Sequence, residues 1–399
     1  MGEEVLVLTT LDYTAEKNQR CQHVARALAR RYGSVVVISK HRNVSVNIFD
    51  RLRKLLPSVK VYREGAVKVY DLNPAFNQSF ARPFPLLGVI SEVFVVFSML
   101  LLFFSNIRRH FPLCYAEGPW ETLIALVLKA FGRVDCIIYG DIDYVPAFQV
   151  RVSRVLLTMA VENFTLKRAD LIASTGRLLA EKREKELGVA PIISHNGVNY
   201  RAFSAGAVKE EHQPTIIYFG NFEDRYSGLS VALKGFAEIR EHVKDLKMTI
   251  IGPDPDGSVG RLIEALDIGE GVNKIDPVPY IDLPYYIRRA DIGYGLFPSN
   301  LLRTYAFPMK VIEYMAGGLA VIGTAGTETE LVIEKYGSGL VIPFEKDAYV
   351  QAVVDLFSNP GKIEKMAANG VKAASHFDWD LLMGDLLENI EAVGEGRKV

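Results

Sequence analysis

The sequence predicts an α/β protein of two Rossmann-like halves facing one another across a cleft. Three observations carry that expectation. Short apolar runs alternate with helix-length segments, the pattern of a parallel sheet covered by helices on both faces. The 399 residues are too many for one core and suit two. The alternation lapses once, over the polar stretch "NYRAFSAGAVKEEHQP" ending at Pro214, and then restarts.

In the first half the expected strands are Val5–Thr10, Val35–Ser39, Val67–Leu72, "LCYAEG", "CIIYGD", "LIAST" and "IISHNG", with helices over "NQRCQHVARALARRY" and "WETLIALVLKAFG". In the second half "TIIYFGNF", "MTIIGPD", "DIGYGLF", "LAVIGT" and "GLVIP" read as strands. Helices are expected near Leu229–Val243 and Val259–Leu266, with an amphipathic one over "DWDLLMGDLLENIEAV". The expected organisation is a first domain over 1–200, a linker over 201–213, a second domain over 214–375, and a segment 376–399 whose helix returns toward the first domain.

Composition narrows the function. Hydrophobic residues form 49% and charged residues 23% of the chain, and Lys+Arg at 46 balance Asp+Glu at 47. No bulk charge points to nucleic acid, so an anion site must be local. Cys21, Cys114 and Cys136 have neither metal-type spacing nor the even count of a disulfide scaffold. "MGEEVLVLTT" lacks the basic start and apolar core of a signal peptide, which sets the expectation of a cytoplasmic protein. No G-x-G-x-x-G follows a strand, and "GPDPDG" is too rich in proline for a P-loop. The apolar run Leu86–Phe104, interrupted by Glu92 and followed by Arg108 and Arg109, is long enough to span a bilayer. The strands on either side favour a helix covering the first sheet. With Arg51, Arg53, Lys54 and Lys60 nearby, a helix at a membrane surface is the other reading.

The stretch "FPMKVIEYMAGGLAVIGTAG", Phe307–Gly326, carries the sharpest chemical signal. Pro308 suits the first position of a helix, which places Lys310 in its first turn beside the positive end of the dipole. An anion at that terminus makes two positive features favourable together. Glu313, one turn on, suits two vicinal ribose hydroxyls. The competing reading is a surface Lys–Glu pair at i, i+3.

"KVIEYMAGGLAVIGT", together with "ADLIASTGRLLAEKREKELGVAPIISHNGVNYRAF" and "YIDLPYYIRRADIGYGLFPS", resembles glycosyltransferase family 4 and its relatives of GT-B fold. The resemblance implies a donor site for a nucleotide diphosphate sugar in the second domain, with Glu313 on the ribose. It further implies Gly220, Arg225, Lys310 and Tyr314 on the donor, and Glu330 where the family places an acid near the sugar. Thr327 or Thr329 would cap that helix. Two positions depart from the family: Tyr305 replaces the first glutamate of the E-x7-E motif, and Ser227 stands where lysine is common. Lys310 with Arg225 would replace the usual phosphate clamp, as in the similar xanthan glucuronosyltransferase family, which also resembles the chain at "LVLTTLDY" and "YGDIDY".

That second likeness makes Asp143 a candidate base, against a strand-end acid that caps a turn. The D-x-D of Asp141 and Asp143 also permits a metal reading, which the position of the nucleotide motif disfavours. Asp12 and Glu117, at strand ends, are acceptor-binding candidates or turn residues, and His195 is read as structural. The expected protein is a metal-independent glycosyltransferase with no cofactor beyond its UDP- or GDP-sugar donor. Its acceptor would be a glycan or lipid-linked hydroxyl, with peripheral membrane contact. Retention is favoured, and inversion with Asp143 as base stays open. The rivals are a nucleotide-sugar epimerase or hydrolase and a non-catalytic binding subunit.

Overall fold

The computed structural model describes residues 3–11, 13, 19–40, 58–73, 95–107, 109–149, 152–205 and 212–394. The chain divides into two compact units, one of Met1–Ser194 with Met383–Val399 and one of His195–Leu382. The helix Trp379–Gly394 therefore begins in the second unit and ends in the first.

The first unit holds an eight-stranded sheet: β1 (Glu4–Thr9), β2 (Ser34–Lys40), β3 (Ser58–Glu64), β4 (Val67–Asn73), β5 (Phe111–Glu117), β6 (Val134–Asp141), β7 (Leu171–Ser174) and β8 (Ile192–Ile193). Their order is β3-β4-β2-β1-β5-β6-β7-β8. All neighbours are parallel except the edge hairpin β3–β4, which turns at Gly65 with φ 58°. Central strands such as β1 are buried on both sides and read as continuous Val/Leu runs, as parallel strands beneath helices must. Sequence periodicity passes over β3 because its valines are exposed, Val61 by 52%.

The apolar run splits at the limit of description. Residues 86–94, with Glu92, lie outside the described residues, as do Asp12, Arg51, Arg53, Lys54 and Arg108. Residues 95–102 form a helix that buries Val95, Met99 and Leu102 against the first sheet's core, as the covering-helix reading expects. Among the described residues no helix is long and apolar enough to cross a membrane.

The second unit is a fully parallel six-stranded sheet: β9 (Thr215–Phe219), β10 (Lys247–Ile251), β11 (Val272–Ile275), β12 (Ile292–Gly295), β13 (Ala320–Thr324) and β14 (Gly339–Ile342), in the order β11-β10-β9-β12-β13-β14. The edge strand β11, "VNKI", is too short and polar to be picked out by pattern. The strand order reverses between β9 and β12, the switch point at which doubly wound sheets open a ligand crevice at their carboxyl ends.

Candidate functional site

The carboxyl end of β9 and the helix Met309–Ala316 meet at the switch point of the second unit. Pro308 is the N-cap of this helix and not its first residue, with φ −84° and ψ 74° outside the helical region. Its carbonyl accepts from the Val311 and Ile312 N–H groups, and Phe307 accepts from Met309. The helix end thus has fewer free donors than the sequence alone suggests, and the charge there rests on side chains.

Lys310 lies across the backbone of Gly220, which follows β9. A Cβ on Gly220 would stand 2.4 Å from Lys310 Cε, and the φ of 130° likewise favours glycine. The ammonium sits 5.6 Å from the ring centres of both Tyr218 and Phe297. Among the described residues no carboxylate is within ion-pair distance of it. Burial, reinforced by the Arg303 charge and only partly offset by Glu313, pushes Lys310 down to about 8. A half-buried cation held by aromatic faces, with a second cation beside it, is a site that gains by receiving an anion.

Arg303 is the residue that sequence reasoning missed. It belongs to the short helix Leu301–Tyr305, whose N-cap Asn300 accepts from the Arg303 N–H at 3.0 Å. The guanidinium lies 4.6 Å from the Phe297 ring that also faces Lys310. The available signal was its place seven residues before Lys310, on the turn "SNLLRTYAF" that follows β12.

Glu313 is 4% exposed. Burial raises its carboxyl to about 7, against the lowering effects of a hydrogen bond to Tyr280 and of the Lys310 charge. Tyr280 packs its ring on Phe203 at 5.4 Å. The helix closes at Gly317, followed by Gly318 with φ 77°.

The remaining donor candidates divide. Arg225 is exposed, is ion-paired with Glu223 at 2.5 Å and lies 4.4 Å from the Tyr226 ring. Its carbonyl accepts from Asn300 Nδ2 at 3.2 Å, which ties its turn to the Arg303 helix. Tyr314 is fully buried, edge-on to Phe219 at 5.0 Å, and a Cβ on Gly293 would strike its ring. Its place is the core, because it faces the sheet from the inner side of its helix. Glu330 accepts from the Gly326 N–H at 2.6 Å and so steadies the turn before the helix Glu328–Tyr336. Thr327 holds the N-cap position but donates to the Thr324 carbonyl, so its hydroxyl is not the cap. In "GPDPDG", Asp254 accepts from the Val259 and Gly260 N–H groups and from Lys274, which makes it a helix-start residue.

In the first unit the D-x-D motif separates. Asp141 is buried and accepts from Arg183 Nε and Nη2 at 3.1 and 2.9 Å and from Ser174 Oγ at 2.6 Å. Arg183 also donates twice to the buried Glu162 at 2.9 Å. Asp141 is thus committed to an internal ion-pair network, whereas Asp143 stays partly exposed beyond the strand end. Glu117 is buried at the end of β5, where it accepts from Thr9 Oγ1 at 2.7 Å, and burial raises it to about 7. Nearby, Arg20 is held by Tyr115 and Ser194. His195 stacks on Phe307 at 4.6 Å and lies against Phe377, a packing role in line with the structural reading.

Two Rossmann-like units, one carrying a cationic site at its switch point, define the GT-B class. Solved structures agree in fold. Sucrose-phosphate synthase from Thermosynechococcus elongatus superposes with TM-score 0.75 at 16% identity, over 98% of this chain and 99% of that one. Trehalose 6-phosphate synthase from Burkholderia multivorans gives TM-score 0.76 at 11% identity, over 99% of each. HepE from Anabaena, solved in complex with UDP and glucose, gives TM-score 0.68 at 15% identity, over 98% of this chain and 100% of that one.

By sequence, residues 213–359, which lie within the second unit, match the family of glycosyl transferases, group 1. A phosphatidyl-myo-inositol mannosyltransferase from Mycobacterium leprae is 22% identical over 227 residues, which is 55% of this chain and 59% of that protein's length. The match thus spans less than two thirds of that relative.

Proposed function

We propose that the chain is a hexosyltransferase that moves a sugar from a nucleotide diphosphate sugar to an acceptor hydroxyl. The observation that carries this reading is the crowded Lys310 ammonium, which has Arg303 beside it and, among the described residues, no carboxylate within ion-pair distance, one helical turn from the buried Glu313. In this reading Lys310 and Arg303 hold the diphosphate. Arg225 joins them once it leaves Glu223, and Glu313 accepts from the ribose hydroxyls. UDP is the first donor nucleotide to try, since HepE binds it, and GDP the second.

The bond between the sugar's anomeric carbon and the diphosphate oxygen breaks, and the acceptor oxygen takes its place on that carbon. Charge developing on the leaving phosphate is stabilised by the ammonium and guanidinium, which are already in position and need no metal ion to assist them. Attack from the face of the leaving phosphate, whose oxygen then takes the acceptor proton, gives retention. Attack from the opposite face, with the proton passing to the partly exposed carboxylate of Asp143, gives inversion. The acceptor is a glycan or lipid-linked hydroxyl.

Thermal stabilisation by UDP, GDP, ADP and NAD, measured on wild type and on Lys310→Met, tests the reading. One diphosphate at 100 times its dissociation constant should stabilise the wild type by about 2.7 kcal/mol and the variant far less. No response to any nucleotide, or an equal response in the variant, rejects it. Release of free sugar or of an epimer without acceptor would favour the hydrolase or epimerase reading.

A further inference from the structure

Near the start of the second unit, the short helix Tyr200–Ser204 packs on the helix that carries Lys310 and Glu313. Five residues cannot sustain a helix by themselves, so this turn depends on outside partners. Asn199 caps it by accepting from the Ala202 N–H at 3.3 Å, and Asp378 Oδ2 accepts from the Tyr200 N–H at 3.2 Å. Val198 donates to the Phe377 carbonyl at 2.8 Å and accepts from the Trp379 N–H at 3.3 Å. A Cβ on Gly197 would stand 2.8 Å from that same carbonyl, so glycine is what lets the two segments approach this closely. The helix is thereby a fixed platform for the side chain it buries, Phe203, which is 1% exposed.

Phe203 sets its ring against Tyr280, with centres 5.4 Å apart and planes at 49°. Tyr280 in turn hydrogen-bonds the Glu313 carboxyl. It begins the 3₁₀ turn Tyr280–Asp282, and the helix that follows, Leu283–Ile287, sets Ile287 against Gly317 at the end of the Glu313 helix. A Cβ on Gly317 would stand 2.2 Å from Ile287 Cγ2. That contact places the backbone of the turn. The Tyr280 ring is only partly buried and would be free to change rotamer unless another side chain packed on it. Phe203 supplies that packing. The two cations are held elsewhere, Lys310 facing Tyr218 and Phe297, and Arg303 facing Phe297. The carboxylate and the cations therefore have separate supports.

We propose, on the reading of Glu313 as the ribose-binding carboxylate, that Phe203 is a positioning residue for it, acting through Tyr280. The Phe203 ring holds the phenol beside the carboxyl, and the phenol donates to it. The carboxylate then keeps the orientation that two vicinal ribose hydroxyls need. Discrimination for the 2′-hydroxyl thus depends on a side chain outside the nucleotide's own contacts.

Calorimetric titration of UDP, GDP and their 2′-deoxy forms tests it in a double-mutant cycle of Phe203→Leu and Tyr280→Phe. Wild type should prefer one ribonucleotide over its deoxy form. Phe203→Leu should cut that preference about threefold or more, while the deoxynucleotide binds as in wild type, which also shows that the variant folds. Tyr280→Phe should cut it to a similar extent and the double variant no further, because both act through one hydroxyl. The pH at which ribonucleotide binding falls on the acid side should rise in each variant. Lys310 and Tyr280 are, among the described residues, the titratable groups acting on the Glu313 carboxyl. Phe203→Met, a softer change in volume, carries the same expectation should Phe203→Leu not fold. Phe203 variants that keep the preference, or effects that add in the double variant, overturn the proposal and leave the donor site standing. A wild type that makes no 2′-hydroxyl distinction overturns both.

Discussion

At the scale of single residues, Lys310 and Glu313 have opposite pH demands. The phosphate needs the ammonium, and Lys310 loses its proton as pH rises through about 8. The ribose needs the carboxylate, and Glu313 gains its proton as pH falls through about 7. Nucleotide affinity should therefore peak between these values, with Arg303, Tyr280 and Tyr218 as the other charged or titratable groups facing the pair. Titration calorimetry across pH checks this, and Lys310→Met should remove the alkaline limb. The stability signs follow separately. Lys310 titrates below its unfolded value, so its burial cost is present below about pH 8 and is relieved as pH rises. Glu313 titrates above its unfolded value, so its contribution to stability falls between its ordinary range and about pH 7. Tyr280→Phe deletes a hydrogen bond that lowers Glu313, so the acid limb should move to higher pH and binding near pH 7 should weaken several-fold.

At the scale of elements, Gly220 joins β9 to the Lys310 helix. Gly220→Ala forces a Cβ into Lys310 at a backbone angle that favours glycine. Nucleotide affinity should fall with it, at a stability cost of roughly 1–3 kcal/mol seen in thermal denaturation. The network at the end of β6 makes a different demand. Arg183→Met leaves Asp141 and Glu162 buried without their cation and should destabilise by about 3–5 kcal/mol. The alternation of apolar runs and helices was enough to place most strands of both sheets, because buried parallel strands are continuous in sequence. It was not enough for β3 and β11, exposed or short edge strands whose pairing comes from neighbours distant in sequence. The same limit applied at the site. Lys310 and Glu313 share one short motif and were legible together, whereas Arg303 becomes relevant only once its helix folds back over Phe297. The resemblance implied Tyr314 on the donor, but it follows Glu313 directly, and the next position on a helix points elsewhere. The D-x-D motif allowed Asp141 a metal reading, already disfavoured, and its actual partner Arg183 was not legible because it lies 42 residues away.

At the scale of the molecule, the chain ends in the unit where it began. Met383, Leu386 and Ile390 are each 2% exposed, and Glu391 pairs with Arg31 in the first unit. Removing residues 383–399 should lower the first unit's melting temperature, while leaving the nucleotide-dependent transition of the second in place. Differential scanning calorimetry with and without nucleotide separates the two. The central claim is that Glu313 and Lys310 hold a nucleotide diphosphate by its ribose and phosphates. The most direct test is calorimetric titration of the stabilising nucleotide and of its 2′-deoxy form into wild type and Glu313→Gln. Wild type should prefer the ribonucleotide by roughly 10-fold or more, and Glu313→Gln should bind both about equally and near the wild-type affinity for the deoxy form. A wild type indifferent to the 2′-hydroxyl, or a variant that keeps the preference, would contradict the account.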